Sequence, residues 1–436
     1  MPVAMIPCAL SLLMAFTPPR VAHAQAAPEP EPAAEAEPAF PIIPGTSMFT
    51  RFELREGYED VGASRGRFLE GDAIFYRARL GLQLTPLDIG GGTLASVQFT
   101  PQASGKLGTL GSTVADAALG LHEGYLRLAG SGARFDLGRF ELDYGDALVI
   151  GNLGWHQTAR SFDGFRMRAI PVDGSAFVDV FFTIPRESHP AVDAPFGAGD
   201  NYFIGIYSDV GPWVSEGMAL DLYLLANTFM PADGAPVSDD PADGTQDVDG
   251  AVEVTVGARA KQKIGSFDYR GEAGLQLGER IVGVTTQSVT AYHGDLELGL
   301  SFDAVRVALE GLYASGEDGS TSDLEGWNQL FPTAHKFLGL MDVFGARTNA
   351  ISGVAHLSYE AADDFAAKLD AHLFSRPETT PAGVEGYVGS ELDFIALYSL
   401  GAGAGVRGLY GIYMPSDELG STDPVHYLEI ELAYER

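Results

Sequence analysis

The stretch DAIFYRARLGLQLT, Asp72 to Thr85, sets Ile74, Tyr76, Ala78, Leu80, Leu82 and Leu84 on one parity and Phe75, Arg77, Arg79, Gly81 and Gln83 on the other. Consecutive side chains of an extended strand point to opposite sides of a sheet, so this segment carries one apolar and one ionic face. Gly250 to Gln262 repeats the arrangement, with Val252, Val254, Val256, Ala258 and Ala260 alternating with Glu253, Thr255, Gly257, Arg259 and Lys261. Segments of this kind follow one another from Met48 to the C-terminus. Each is about ten residues long, the length a tilted strand needs to cross a bilayer. Alternation alone fits two architectures: a soluble sandwich hides the apolar face inside, and a membrane barrel turns it outward to lipid.

The connections separate the two. In an outer-membrane barrel every second connection is a short periplasmic turn and the others are longer outer loops. Tight links are predicted near Pro86–Gly92, Gly130–Ala133, Val172–Ser175, Val210–Glu216, Lys263–Ser266, Ser301–Asp303, Ala361–Asp364 and Leu400–Gly401. Longer ones fall between them at Gly57–Gly71, Pro101–Asp116, Tyr144–Ala159, Ile184–Asp200, Phe229–Asp249, Gly278–Thr286, Ser315–Gly345, Ser375–Gly386 and Met414–Pro424. Short and long alternate throughout, which predicts an all-β, transmembrane, antiparallel up-and-down barrel of about 18 strands with both termini in the periplasm. No repeat of fixed longer period argues for a propeller or solenoid.

Composition agrees with this reading. Of 436 residues, 46% are hydrophobic and 54 are Gly, with 17 Tyr and 25 Phe, a mixture suited to strands. The apolar run Val3–Phe16, followed by Pro18, Pro19 and the small-x-small site Ala22-His23-Ala24, reads as a secretory signal over residues 1–24, although no basic residue precedes the run. Residues 25–46, rich in Ala, Pro and Glu, read as a disordered periplasmic tether, and 47–436 as the barrel. Cys8 falls inside the signal, so the mature chain would carry no disulfide. The net charge of −32 is concentrated in loops such as Pro231–Gly250, and its sign disfavours nucleic acid as a partner.

Parity places Arg51, Glu53, Arg55, Arg77, Arg79, Glu123, Arg127, Arg166, Arg168, Asp179, Arg259, Lys261 and their like on the polar, inward face. They read either as ion-pair ladders lining a wet wall or as an electropositive track for an anionic solute. The alternation is disturbed at Gly138, as by a β-bulge. Beyond it the Gly-rich loop Gly151–Gly164, with Trp155, His156, Arg160 and Asp163, could fold into the lumen or lie on the surface. His335 and Lys336 read as loop-packing or gate residues. No nucleophile elbow, zinc-protease motif or phosphate loop is present, so an enzyme, a metal site and a cofactor are not expected.

The segments GRFELDYGD, SFDGFRMR, FPTAHKFLGLMDVFG and VGSELD resemble those of the alginate export family of outer-membrane proteins, over a span from about Phe49 to the C-terminus. The resemblance implies an 18-stranded barrel whose constricted, arginine-lined channel passes a polyuronate, with loops as gates. It makes Arg77, Arg79, Arg127, Arg139, Arg160, Arg166 and Arg168 the candidate channel-lining cations, and Glu123, Glu141, Asp143 and Asp163 their counter-charges. The expected partners are outer-membrane lipid, an anionic saccharide or small anionic solute, and periplasmic export proteins, with the barrel as a monomer. A small-carboxylate or general diffusion porin is the alternative within transport. A secreted β-rich carbohydrate-binding protein is the alternative outside it.

Overall fold

The computed structural model describes residues 42–58, 71–107, 118–170, 176–186, 201–229, 250–282, 285–362, 364–380, 383–419 and 423–436. The signal, the tether ahead of Ile42 and the acidic loop at 233–249 lie outside the described residues. The strands are β1 (Ile42–Glu56), β2 (Gly71–Leu84), β3 (Leu87–Asp88), β4 (Leu94–Leu107), β5 (Ala118–Ala129), β6 (Ala133–Phe140), β7 (Phe162–Ala169), β8 (Phe177–Arg186), β9 (Asn201–Asp209) and β10 (Ala219–Phe229). They continue as β11 (Ala251–Ile264), β12 (Phe267–Val282), β13 (Thr285–Phe302), β14 (Val305–Ala314), β15 (Ala350–Ala362), β16 (Phe365–Arg376), β17 (Gly386–Gly401), β18 (Ala404–Pro415) and β19 (Val425–Glu435).

Neighbouring strands run antiparallel, and β1 pairs with β19 from Ser47↔Glu435 to Glu56↔His426, which closes the sheet and leaves no edge. β3 only touches β4 inside a turn, so 18 strands form the wall. Among the described residues no helix is long and apolar enough to cross a membrane.

The wall is inside out relative to a soluble protein. Met48, Leu80, Val256, Leu298, Phe394 and Leu432 are exposed on the outer face, whereas Arg51, Glu53, Arg259, Glu310, Asp393 and Glu429 are buried within. So much exposed apolar surface in one band is stable only against hydrocarbon. Leu309, midway along β14 and 68% exposed, tests this. Leu309→Arg is expected to destabilise the barrel by about 2–4 kcal/mol, the cost of a cation on the lipid face near the midplane. Urea unfolding in lipid vesicles measures it, and a neutral result would mean that this face does not meet lipid.

Three local readings are corrected. The first strand starts at Ile42 rather than after residue 46, because Pro44 and Gly45 pair with Leu82 and Gly81 of β2 instead of breaking the chain. The long connection expected at Gly278–Thr286 is absent: β12 continues to Val282 and β13 resumes at Thr285. Gly278 is a ladder residue at φ +119°, where a Cβ would lie 2.2 Å from the Val252 carbonyl oxygen, so its glycine serves strand contact rather than a turn. Gly138 is no bulge either. It sits in register between Tyr125 and Gly164 at φ +130°, with the Gly124 carbonyl where a Cβ would be. The bulge lies instead on β5 at His122, where Glu123 faces Thr100, Leu121 faces Pro101 and His122 has no ladder partner.

Candidate functional site

Two loops fold back into the barrel: 141–161 between β6 and β7, and 315–349 between β14 and β15. Their apolar residues pack on the inner wall, Leu142, Tyr144, Val149 and Ile150 against Phe181, Phe203, Tyr207 and Tyr223, and Trp327, Phe337, Leu340 and Met341 against Ala291, Leu312, Ile395 and Tyr413. The loops also join each other. Ile150 and Phe331 form a parallel bridge, with Gly151 N donating to Phe331 O (2.8 Å), Phe331 N to Val149 O (3.1 Å) and Thr333 N to Ala147 O (2.9 Å). Trp155 stacks on His335 at 4.1 Å. Arg160 Nη1 donates to the carbonyls of Gly151 (2.9 Å), Pro332 (3.1 Å) and Phe331, tying both loops at one atom.

The wall grips this crossing structure with charged groups. Arg51 Nη1 donates to Trp155 O at 2.5 Å, and Arg77 Nη1 to Gly154 O at 2.8 Å and His156 O at 3.1 Å. Gln102 reaches Thr158 O at 3.0 Å. A few strands along the same wall, Glu391 of β17 accepts from Met341 N and Asp393 from Leu340 N, while Tyr58, just past β1, donates to Met341 O. Gly339, at φ +82°, leaves the space that Glu391 occupies. Arg77 and Arg160 thus serve as loop clamps, a use that their expected role as solute-binding cations did not include.

Glu141 gathers the base of the first loop. His122 Nε2 meets its Oε1 at 2.6 Å, Asn152 Nδ2 donates to Oε2 at 2.9 Å, and Arg79 Nη1 lies 3.6 Å away. Burial pushes this carboxyl up, but the bonds from His122 and Asn152 and the Arg79 charge outweigh it and hold the group below its ordinary value. Ser161 Oγ contacts His122 Nδ1 at 3.0 Å, so both ring nitrogens are engaged. Parity missed His122, because the extra residue in β5 at this point turns both it and Glu123 inward; Glu123 accepts from Thr100 at 3.2 Å. Asp143 is exposed to the lumen.

A basic patch covers the inner face of β5 to β8. Asp136, fully buried, binds Arg127 (2.7 Å), Arg166 (2.8 Å) and Arg134 (3.3 Å), and Asp179 binds Arg168 (2.6 Å) and the Tyr144 hydroxyl (2.7 Å). Four guanidiniums therefore share two carboxylates, and Arg134 stands directly opposite Arg168 in the ladder. Arg139 and Asp163 do not join them. No bulge intervenes after Asp136, so both fall on the outward parity with Leu137 and Phe165, where they pair with each other at 2.6 Å, half exposed. Across the barrel, Glu297, Glu310 and His356 come within metal-binding distance of one another, but Arg270 and Arg306 already sit on those carboxylates.

A barrel with an ionic interior and inward loops is the architecture of outer-membrane porins, and solved structures agree. The fold is similar to that of OpdK from Pseudomonas aeruginosa (13% identity, 90% of this chain and 99% of that one, TM-score 0.61) and OccAB4 from Acinetobacter baumannii (11%, 91% and 98%, 0.61). It is equally similar to OccK3 from Pseudomonas aeruginosa (12%, 91% and 95%, 0.61). No curated protein matches the chain. The family model for alginate export matches residues 115–383, a span that takes in both inward loops and the basic patch. With more than half its length under that model, this outer-membrane β-barrel belongs to the alginate export family.

Proposed function

We propose that the chain, as a monomer in outer-membrane lipid, passes a carboxylate-bearing solute of the anionic oligo- or polysaccharide class through its lumen. The observation that carries this reading is the cation surplus on the inner wall of β5 to β8 in a chain whose net charge is −32. Arginine offers a planar two-point donor fork to carboxylates, and rings of such groups select anions. Partly exposed Arg127, Arg134 and Arg168 keep donors free to face the water of the lumen.

The test is the reversal potential of single channels in a salt gradient. The double variant Arg134→Gln, Arg168→Gln is expected to lose most of the anion preference of the wild type; strong cation preference in the wild type, or no shift in the variant, counts against the proposal. A second reading, passage of small carboxylates, draws support from the tight interlock of the two loops, which narrows the path. The OpdK fold relative was crystallised with vanillate. Block by a long polyuronate favours the first reading, and block by benzoate alone the second.

A further inference from the structure

Beneath the 315–349 loop, on the side of the short turns and hence the periplasmic mouth, the lumen holds a cavity of about 270 Å³ bordered by Asp146, Lys261, Arg270, Glu310, Lys336 and Lys368. It lies on the β10–β16 side, away from the basic patch of β5 to β8. Its carboxylates are all engaged. Asp146 meets Arg259 at 2.7 Å and Lys261 at 3.2 Å; Glu310 meets Arg270 at 2.8 Å; Glu297 meets Arg306 at 2.6 Å; and Asp268 is bound by Arg306. Lys368 is matched by Asp370 at 2.7 Å.

Lys336 differs. Among the described residues its ammonium has no carboxylate within ion-pair distance, and its recorded contact is the Phe337 ring, 4.8 Å from Nζ to the centroid. Its backbone is held firmly, in a 3-10 turn next to the interloop bond from Thr333 N and beside His335, which is fixed between Trp155 and Asp342. Burial, opposed by Asp146, lowers its pKa to about 8, so it is still largely charged at neutral pH. A half-buried cation whose nearby carboxylates, Asp146 and Asp143, act on it only from beyond ion-pair distance is unfavourable to maintain, and such incompletely balanced sites mark places where a ligand completes the balance.

We propose that this chamber is a binding site for a carboxylate of the passing solute, anchored by the Lys336 ammonium with Lys261 and Lys368 at its flanks. The proposal rests on the anionic-solute reading above and adds a docking point near the periplasmic mouth, built from the second loop. The geometry suits a single acidic unit of a saccharide, since the cavity is too small for several sugar rings side by side.

Block of single-channel current by galacturonate, present on both sides of a planar bilayer, tests it, with galactose as the neutral control and benzoate as a second carboxylate. Lys336→Met is expected to raise the half-blocking concentration of galacturonate about ten-fold, the loss of one charge-assisted hydrogen bond, and to leave the effect of galactose unchanged. Lys336→Arg should restore block to within about two-fold of the wild type. Heat-modifiable migration checks that the variants fold, which removal of an unpaired ammonium should not prevent. Unaltered galacturonate block in Lys336→Met, in a channel that is anion-selective, overturns the site while leaving the anionic-solute reading standing. A wild type that is cation-selective and unblocked overturns both. If Lys336→Met affects benzoate alone, the carboxylate site stands and its occupant is a small acid rather than a saccharide.

Discussion

Arg160→Ala is expected to raise single-channel conductance several-fold and to make it noisy. The two inward loops meet through a short parallel bridge, one stacked ring pair, the bond from Leu153 N to Thr333 Oγ1 (3.2 Å) and that from Arg347 to Leu148 O (2.6 Å), and a junction of so few bonds opens at low free energy when one of its main ties is lost. Arg160 is the tie with the most bonds: one guanidinium nitrogen serves Gly151, Phe331 and Pro332, and hydrogen bonds from a charged donor contribute about 1.5–3 kcal/mol each. Alanine would take this donor from all three carbonyls, leaving Phe331 O with the Gly151 N–H alone, and loosen the junction, whereas lysine, a point charge without the fork, should give an intermediate conductance. The wall strands pair independently of this contact, so the folded, heat-modifiable form should persist in both variants. Unchanged conductance in a correctly folded Arg160→Ala barrel would show that the remaining contacts, the Ile150–Phe331 bridge, the Trp155–His335 stack and the Arg347–Leu148 bond, hold the loops together without Arg160.

The same residues show what the sequence could and could not reveal. Strand parity was legible because each segment carries its own period of two; Arg77, Arg79, Arg127, Arg166 and Arg168 face the lumen as alternation requires. Tight links such as Lys263–Ser266 and Ser301–Asp303 were legible for the same reason, since turn residues interrupt that period, whereas the long link expected at Gly278–Thr286 was not there. Partners were not legible. Nothing local to Arg77 says that its donors end on carbonyls of residues 154 and 156, because that contact depends on where a distant loop lands. His122 escaped because it is itself the extra residue of a bulge in β5, which reverses the parity of that strand ahead of it. Arg139 and Asp163 went to the lumen on resemblance, against the parity of their own strands, and the parity was the better guide. Glycines misled in a consistent way: Gly138 and Gly278 looked like interruptions, yet each lies within a continuous ladder where a neighbouring backbone leaves no room for a side chain.

Asp136→Asn is expected to lower the stability of the barrel by about 3–5 kcal/mol, the range seen when one partner of a buried ion pair is removed. The carboxylate is fully buried and lies between Arg127 on β5 and Arg166 on β7, its ladder partners, with Arg134 two residues earlier on its own strand. Arg134 in turn faces Arg168, and like charges directly opposite in a sheet repel. Asparagine keeps the shape and one acceptor but removes the charge that offsets three guanidiniums, so strands β5 to β7 would be pushed apart from within. Two readouts should move in opposite directions: the temperature of the heat-modifiable transition falls, while anion selectivity of the channels that still fold rises, because the same cations are no longer neutralised. A variant as stable as the wild type would mean that lumen water already screens these arginines. In that case the patch is a solvated surface, and the electrostatic cost assigned to maintaining it, together with the case for a track that an anion would relieve, loses its basis.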